Sequence, residues 1–117
     1  VSLDHVKSMI IVFAMPGCEA CEDYKPRFAR QVDAWISHGV PMYWFESGQV
    51  PPRMIPVLML DASSEDPSVV GLADQYEIQA VPTTLLLTRN RRPVKLEGAL
   101  DDQQIHEILA SAHLANR

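Results

Sequence analysis

Residues 10–26 read IIVFAMPGCEACEDYKP, and the order of residue types in this stretch sets the reading of the rest of the chain. An apolar run stopped by Pro16 and Gly17 is the pattern of a buried strand ending in a turn, and the charged residues beyond it open a helix. Cys18 then stands at or next to a helix N-terminus. Unpaired backbone N–H groups and the positive end of the helix dipole there favour a thiolate over a thiol. With two residues between them, Cys18 and Cys21 can close one small disulfide ring while Cys21 stays buried a turn deeper. The pair reads as redox-active.

Three blander readings stand beside that one. A structural disulfide over so short a ring removes little chain entropy from the unfolded state, so it is a poor staple. A zinc site wants four ligands, but the chain has two cysteines, and His5, His38, His106 and His113 show no His-x3-5-His spacing. No metal is expected. The third reading is two small buried apolar residues, a common fate of free cysteine.

The 117 residues suit one domain, 1–117, large enough to bury a core. Apolar residues make up 47% and charged residues 21%, ordinary for a globular protein. A formal charge of −5 disfavours a nucleic acid or an anionic membrane as the main partner. The basic cluster Arg89, Arg91 and Arg92 lies among turn formers and reads as a solvated hairpin loop. No apolar run approaches the roughly 18 residues that span a bilayer, so no membrane role is expected. The opening VSLDHVKSM lacks the regions of a signal peptide, although a segment removed earlier is left open. Two cysteines used as one pair fit a reducing compartment, and a cytoplasmic location is the expectation.

Outward from the opening stretch, Leu3, Val6 and Ile10 suggest a helical turn or two ahead of a first secure strand at 10–14. Phe28, Val32, Trp35 and Ile36 recur at helical spacing, which predicts one amphipathic helix from about Cys18 to Ser37, ended by Gly39. Pro26 lies inside it and predicts a kink, since it lacks an N–H and crowds the preceding turn. Met42–Phe45 reads as a short strand and Gly48–Arg53 as a loop. The run IPVLML at 55–60 reads as a central strand covered on both faces. Asp66 is a plausible N-cap with Pro67 at the first helical position, and Val69, Leu72, Ala73 and Tyr76 mark the buried face of that helix. AVPTTLLLT at 80–88 is a strand led by Val81-Pro82, a candidate cis peptide. Val94–Leu96 is a last strand closed by Gly98. Asp101 with Gln104 starts a terminal helix whose stripe is Ile105, Ile108, Leu109 and Ala112. The expected architecture is α/β: a mixed sheet of about four strands with helices on both faces.

With these landmarks in order, the chain resembles the thioredoxin-fold family over roughly residues 10–113. The resemblance is carried by Cys18-Glu19-Ala20-Cys21 at a strand-to-helix turn and by Pro26 five residues after the second cysteine. LMLD at 58–61, YEIQAVPTTLLL at 76–87 and GALDDQQIHEIL at 98–109 complete it. The second of these is similar to the family's Tyr-Gly-(Ile/Val)-x-x-(Ile/Val)-Pro-Thr segment. The resemblance implies that Cys18 attacks a substrate disulfide and that Cys21 resolves the mixed disulfide. It implies that Pro82 is cis and lies against the pair, with the backbone of Val81 open to a substrate strand.

The departures carry information too. Where the family has tryptophans, directly before the first cysteine and three residues earlier, this chain has Gly17 and Ala14. The family's buried acid, six residues before the first cysteine, corresponds to Val12, and its companion lysine to Val57. Both having gone apolar is coherent, because losing one alone would strand a buried charge. It leaves Cys21 without its usual base, which predicts slower resolution or proton transfer through another group. Glu19, Glu22 and Asp23 stabilise the helix start, and they compete with a thiolate for the same positive field. They are expected to raise the Cys18 pKa and make the protein a reductant or weak exchanger. Fewer residues precede the first strand than the family's opening strand and helix need. The longer 40–54 connection is read as covering the edge so left, with substrate contacts by Tyr43, Trp44 and Phe45 as the alternative.

The resemblance thus implies a monomeric oxidoreductase that reduces protein disulfides, recharged by an external reductase or thiol donor, with no cofactor beyond the Cys18–Cys21 disulfide. Cys18 and Cys21 are the catalytic pair; Gly17, Val81 and Pro82 bind substrate; Glu19, Ala20 and Pro26 modulate. Two alternatives stay open. One is a glutaredoxin-like, glutathione-dependent reductase, favoured by Pro16-Gly17-Cys18 and disfavoured because Gly98 is followed by Ala99 instead of a second glycine. The other is a non-catalytic binding module.

Overall fold

Ser8–Ala14 forms β1, the middle strand of a five-stranded sheet in a computed structural model that describes residues 6–117. On one side it pairs in parallel with β3 (Ile55–Asp61), which pairs in parallel with the edge strand β2 (Met42–Trp44). On the other side it pairs antiparallel with β4 (Thr83–Thr88), which pairs antiparallel with β5 (Val94–Glu97). The helices are α1 (Glu19–Ser37), α2 (Pro67–Gln75) and α3 (Asp102–Ala115).

Every residue of β1 is buried, as a strand covered on both faces requires. Its side chains alternate between two cores. Ile10 and Val12 join Tyr24, Phe28 and Val32 of α1 and Ile105, Ile108 and Leu109 of α3. Met9, Ile11 and Phe13 face the other way, toward Val69, Leu72 and Ala73 of α2. The first core holds the larger set of fully buried side chains and fixes α1 on the sheet, which places the N-terminus of α1 beside the C-terminal end of β1.

The local signals act as their chemistry dictates. The Asp66 carboxylate accepts from the Ser68 N–H at 2.9 Å and caps α2, with Pro67 in its first turn. Asp101 and Gln104 exchange side chain-to-backbone bonds at 2.8 and 2.9 Å, a complete capping box on α3. α1 continues through Pro26.

Four expectations are corrected. The sheet has five strands, not about four, because Met42–Trp44 pairs with β3. The helical turn drawn through Leu3, Val6 and Ile10 does not form at Ile10, which is in β1; Leu3 lies outside the described residues. The strand begins at Ser8, two positions before the expected start at residue 10, where the Ser8 hydroxyl donates to the Ala112 carbonyl at 2.9 Å, a bond that lets a polar residue be buried. Finally, α2 has no fully buried residue; Val69, Leu72, Ala73 and Tyr76 are each half-buried.

The 40–54 connection covers the sheet edge. β2 lies outside β3 with Trp44 turned into the first core, and the Trp44 indole N–H donates to Asp33 of α1 at 2.9 Å. Tyr43 and Phe45 turn into the second core, and buried Val50 follows them there. The three aromatics are packing groups.

Candidate active site

The site forms where the C-terminal end of β1, the start of α1 and the turn into β4 meet. Gly17 is in the left-handed region at φ +76°, a conformation that favours glycine directly before Cys18. Cys18 is the N-cap of α1, with extended backbone, and its sulfur accepts from the Cys21 N–H at 3.2 Å. A sulfur in that position occupies the place of a capping oxygen and receives the field of the free N–H groups. Cys18 and Cys21 are disulfide-bonded, with Cα atoms 5.2 Å apart. Cys18 is half-buried, whereas Cys21 is 0% exposed. One sulfur is reachable and the other is sealed behind it.

The second wall comes from far along the chain. The Val81 carbonyl oxygen lies 3.9 Å from the Cys18 sulfur, the Val81–Pro82 peptide bond is cis, and Pro82 is buried. The Pro82 carbonyl accepts from the Gly98 N–H at 2.8 Å, and the Thr83 hydroxyl donates to the Ala80 carbonyl at 2.7 Å. These bonds fix the turn against the helix tip.

No family model and no curated protein matches this sequence. Solved structures do match. The germline-specific thioredoxin Deadhead of Drosophila melanogaster is 19% identical with a TM-score of 0.63, covering 92% of this chain and 82% of its own. Chloroplastic thioredoxin z is 18% identical with a TM-score of 0.62, over 92% and 80%. Mitochondrial thioredoxin 3 of Saccharomyces cerevisiae is 15% identical with a TM-score of 0.61, over 90% and 78%. The chain has a thioredoxin-like fold. The order β2–β3–β1–β4–β5, with α1 and α3 on one face and α2 on the other, is this chain's version of it.

Within this thioredoxin-like fold the residues singled out from the sequence fall into two groups. Cys18, Cys21, Gly17, Val81 and Pro82 meet at one end of the sheet. Glu19 and Ala20 are exposed on the first turn of α1, outside the contact between the sulfurs and Val81. Pro26 is also exposed, about 7 Å along the helix axis beyond Cys21 at 1.5 Å per residue. Val12 and Val57 are each 0% exposed in the first core, so that core carries no carboxylate or ammonium at those positions.

Sequence reasoning missed two groups near the pair. The first is Tyr24, 0% exposed, whose hydroxyl lies 2.7 Å from that of Thr84, also 0% exposed. Burial pushes the Tyr24 phenol above its ordinary pKa, against the smaller opposing pull of the Thr84 bond and the Arg27 charge. Its spacing from Cys21 was the available signal: three residues on in a helix is the same face. The second is an open cavity of about 230 Å³ beside Pro16, lined also by Glu22, Lys25, Met59, Leu60 and Asp61. The Asp61 carboxyl is held below its ordinary pKa by the Ser63 hydroxyl and N–H, with a smaller contribution from Lys25. Among the described residues no group of three or more His, Cys, Asp or Glu side chains is arranged to hold a metal ion.

Proposed function

We propose that this protein is a thiol-disulfide oxidoreductase that reduces disulfides in proteins. One observation carries the reading: a half-exposed cysteine capping a helix, disulfide-bonded to a sealed partner, faces a peptide carbonyl at 3.9 Å. In the reduced protein the Cys18 thiolate attacks one sulfur of a substrate disulfide and expels the other as a thiolate, forming a mixed disulfide. Cys21 then loses its proton and attacks the Cys18 sulfur. The bond between the two cysteines forms, the bond to the substrate breaks, and the substrate sulfur leaves with the electron pair and takes up a proton. The substrate disulfide is reduced to two thiols and the pair is oxidised. A reductase or small thiol donor outside the chain returns two electrons. The Val81 backbone supports an extended substrate segment across the site, consistent with a protein disulfide as substrate.

The test is reduction of insulin disulfides with a dithiol as electron source. The wild-type protein is expected to accelerate precipitation of the freed insulin chain, Cys18→Ser to abolish the effect, and Cys21→Ser to accumulate a mixed disulfide. Full activity in Cys18→Ser overturns the reading. Turnover with glutathione as the sole donor, in place of a dithiol, moves the protein to the glutathione-dependent class.

A further inference from the structure

Positive side chains from three separate parts of the chain meet at the end of the sheet opposite the cysteines. Lys7 directly precedes β1, Arg89 and Arg91 lie in the hairpin loop between β4 and β5, and Arg117 follows α3. Together with Thr88 and Asn90 they line an open recess of about 260 Å³. β1 runs seven residues from this end toward Cys18, about 20 Å at roughly 3.3 Å per residue, so the recess is remote from the reactive sulfur.

Hydrogen bonds bring these parts together. Ser8 pairs with Thr88 in the β1–β4 ladder, and the Arg89 N–H donates to the Lys7 carbonyl at 2.9 Å. The Arg91 N–H donates to the Thr88 carbonyl at 3.2 Å, closing a turn in which Asn90 sits at φ +64°. The end of α3 is drawn in by the Ser8–Ala112 bond and by the Asn116 amide, which donates to the Arg53 carbonyl at 2.9 Å. The Lys7 ammonium in turn donates to the Arg117 carbonyl at 3.3 Å. Arg89 and Arg91 are exposed, as a solvated loop requires, but the register of β4 on β1 sets them beside Lys7 and Arg117.

The charge here runs against that of the whole molecule. The chain has 15 acidic and 10 basic side chains, yet four of those ten line this one recess, and among the described residues no acidic side chain does. The negative end of the α3 dipole opposes them, but it is equivalent to about half a charge against four full ones. A concave wall of like charge concentrates its field on whatever enters. Guanidinium forks meet phosphate oxygens two at a time. Cations converging from three directions suit a tetrahedral group better than the two coplanar oxygens of a carboxylate. Four of them also exceed the charge of a single phosphate, about −1.5 to −2 at neutral pH. The recess has the size for a small molecule, and the net charge of −5 opposes an extended polyanion such as a nucleic acid or an anionic membrane. We propose that this recess binds a small compound carrying two or more phosphate groups. The inference is independent of the oxidoreductase reading, because it involves neither cysteine.

Isothermal titration calorimetry with inorganic pyrophosphate, in metal-free buffer at low salt, tests it. One pyrophosphate is expected to bind per chain with a Kd below about 1 mM. Added salt should weaken that binding. Lys7→Gln and Arg91→Gln should each weaken it roughly fivefold, the scale of one charged contact at an exposed position. Arg30→Gln removes the same charge from an exposed position on α1 and should leave the affinity unchanged. A second readout needs no variant: in the wild-type protein pyrophosphate should shift the amide resonances of Lys7, Arg89, Arg91 and Arg117 and leave that of Cys18 in place. Absence of saturable binding, an equal loss in Arg30→Gln, or shifts confined to other residues overturns the inference. Citrate binding as tightly as pyrophosphate overturns the choice of phosphate. Attachment to phosphatidic acid vesicles without binding of free pyrophosphate overturns the choice of a small molecule.

Discussion

The carbonyl oxygen of Val81 stands 3.9 Å from the sulfur of Cys18, although 63 residues separate the two in sequence. That approach exists because β1 and β4 are antiparallel neighbours, with Phe13 paired to Thr83 at the end of the ladder nearest the site. The helix tip and the turn into β4 are thereby held on one rim of the sheet, and the reachable sulfur is the one that faces the turn.

The two sulfurs should differ in reactivity once reduced. Cys18 is half-buried at a helix cap and Cys21 is fully covered. Iodoacetamide at neutral pH is expected to alkylate Cys18 at least tenfold faster, since thiolate fraction and access both favour it. Peptide mass mapping after brief labelling checks this, and equal modification of both would contradict the geometry.

Glu19 and Glu22 lie in the first turn of α1 and oppose a second negative charge at its tip. Replacing both by Gln should speed Cys18 alkylation about twofold to fivefold at low salt, the size of a helix-terminus charge effect. The gain should shrink as salt is added. The same double variant should become a stronger oxidant in equilibration with glutathione.

Putting the acid back at Val12 should be costly, because Val57 supplies no countercharge and both positions are sealed. Val12→Asp is expected to lose about 3 kcal/mol or more at neutral pH. Burial raises the folded-state pKa of such a carboxyl above its unfolded value. The penalty is therefore least in acid and grows as pH rises through the unfolded value toward the folded one. Urea unfolding across pH measures it, and Val12→Asp combined with Val57→Lys should recover part of the loss.

Asp66 offers the opposite sign. Its carboxyl is held below its ordinary value of 3.8, first by the Ser68 hydroxyl and then by the Ser68 N–H. A group so depressed contributes stability that is complete above the unfolded pKa and disappears as pH falls through the folded one. Asp66→Ala should lower the Tm at neutral pH, and the gap to wild type should close on acidification.

Trp44 ties the edge strand to α1 through its bond to Asp33 at 2.9 Å and its edge-on contact with Phe28 at 6.5 Å. Trp44→Phe keeps much of the apolar area and removes the donor, so a loss of about 1 kcal/mol is expected. Hydrogen exchange should quicken in Met42–Trp44 before it does in β1.

What the sequence made legible is what local chemistry decides. Cys18 next to Pro16-Gly17 marks a helix start because a turn and a cap are short-range events, and the same holds for Asp66-Pro67 and for Asp101 with Gln104. What it hid depends on distant partners. Ser8 is buried by virtue of Ala112, and the short strand read at Met42–Phe45 carries no local sign that it joins the sheet beside β3. At the site, the pairing of Cys18 with Cys21 follows from spacing. The Tyr24–Thr84 contact needs the register of β4 on β1, which no local pattern contains.

The central position of β1 has a consequence for synthesis. It is the first of the strands to leave the ribosome, and it waits for β3 on one flank and for β4, some seventy residues later, on the other. A nascent chain that has emerged only through α2 already displays both cysteines but not the peptide that faces them. The proposed site is therefore complete only once β4 has been made, after the emerging thiols have had time to meet other sulfurs.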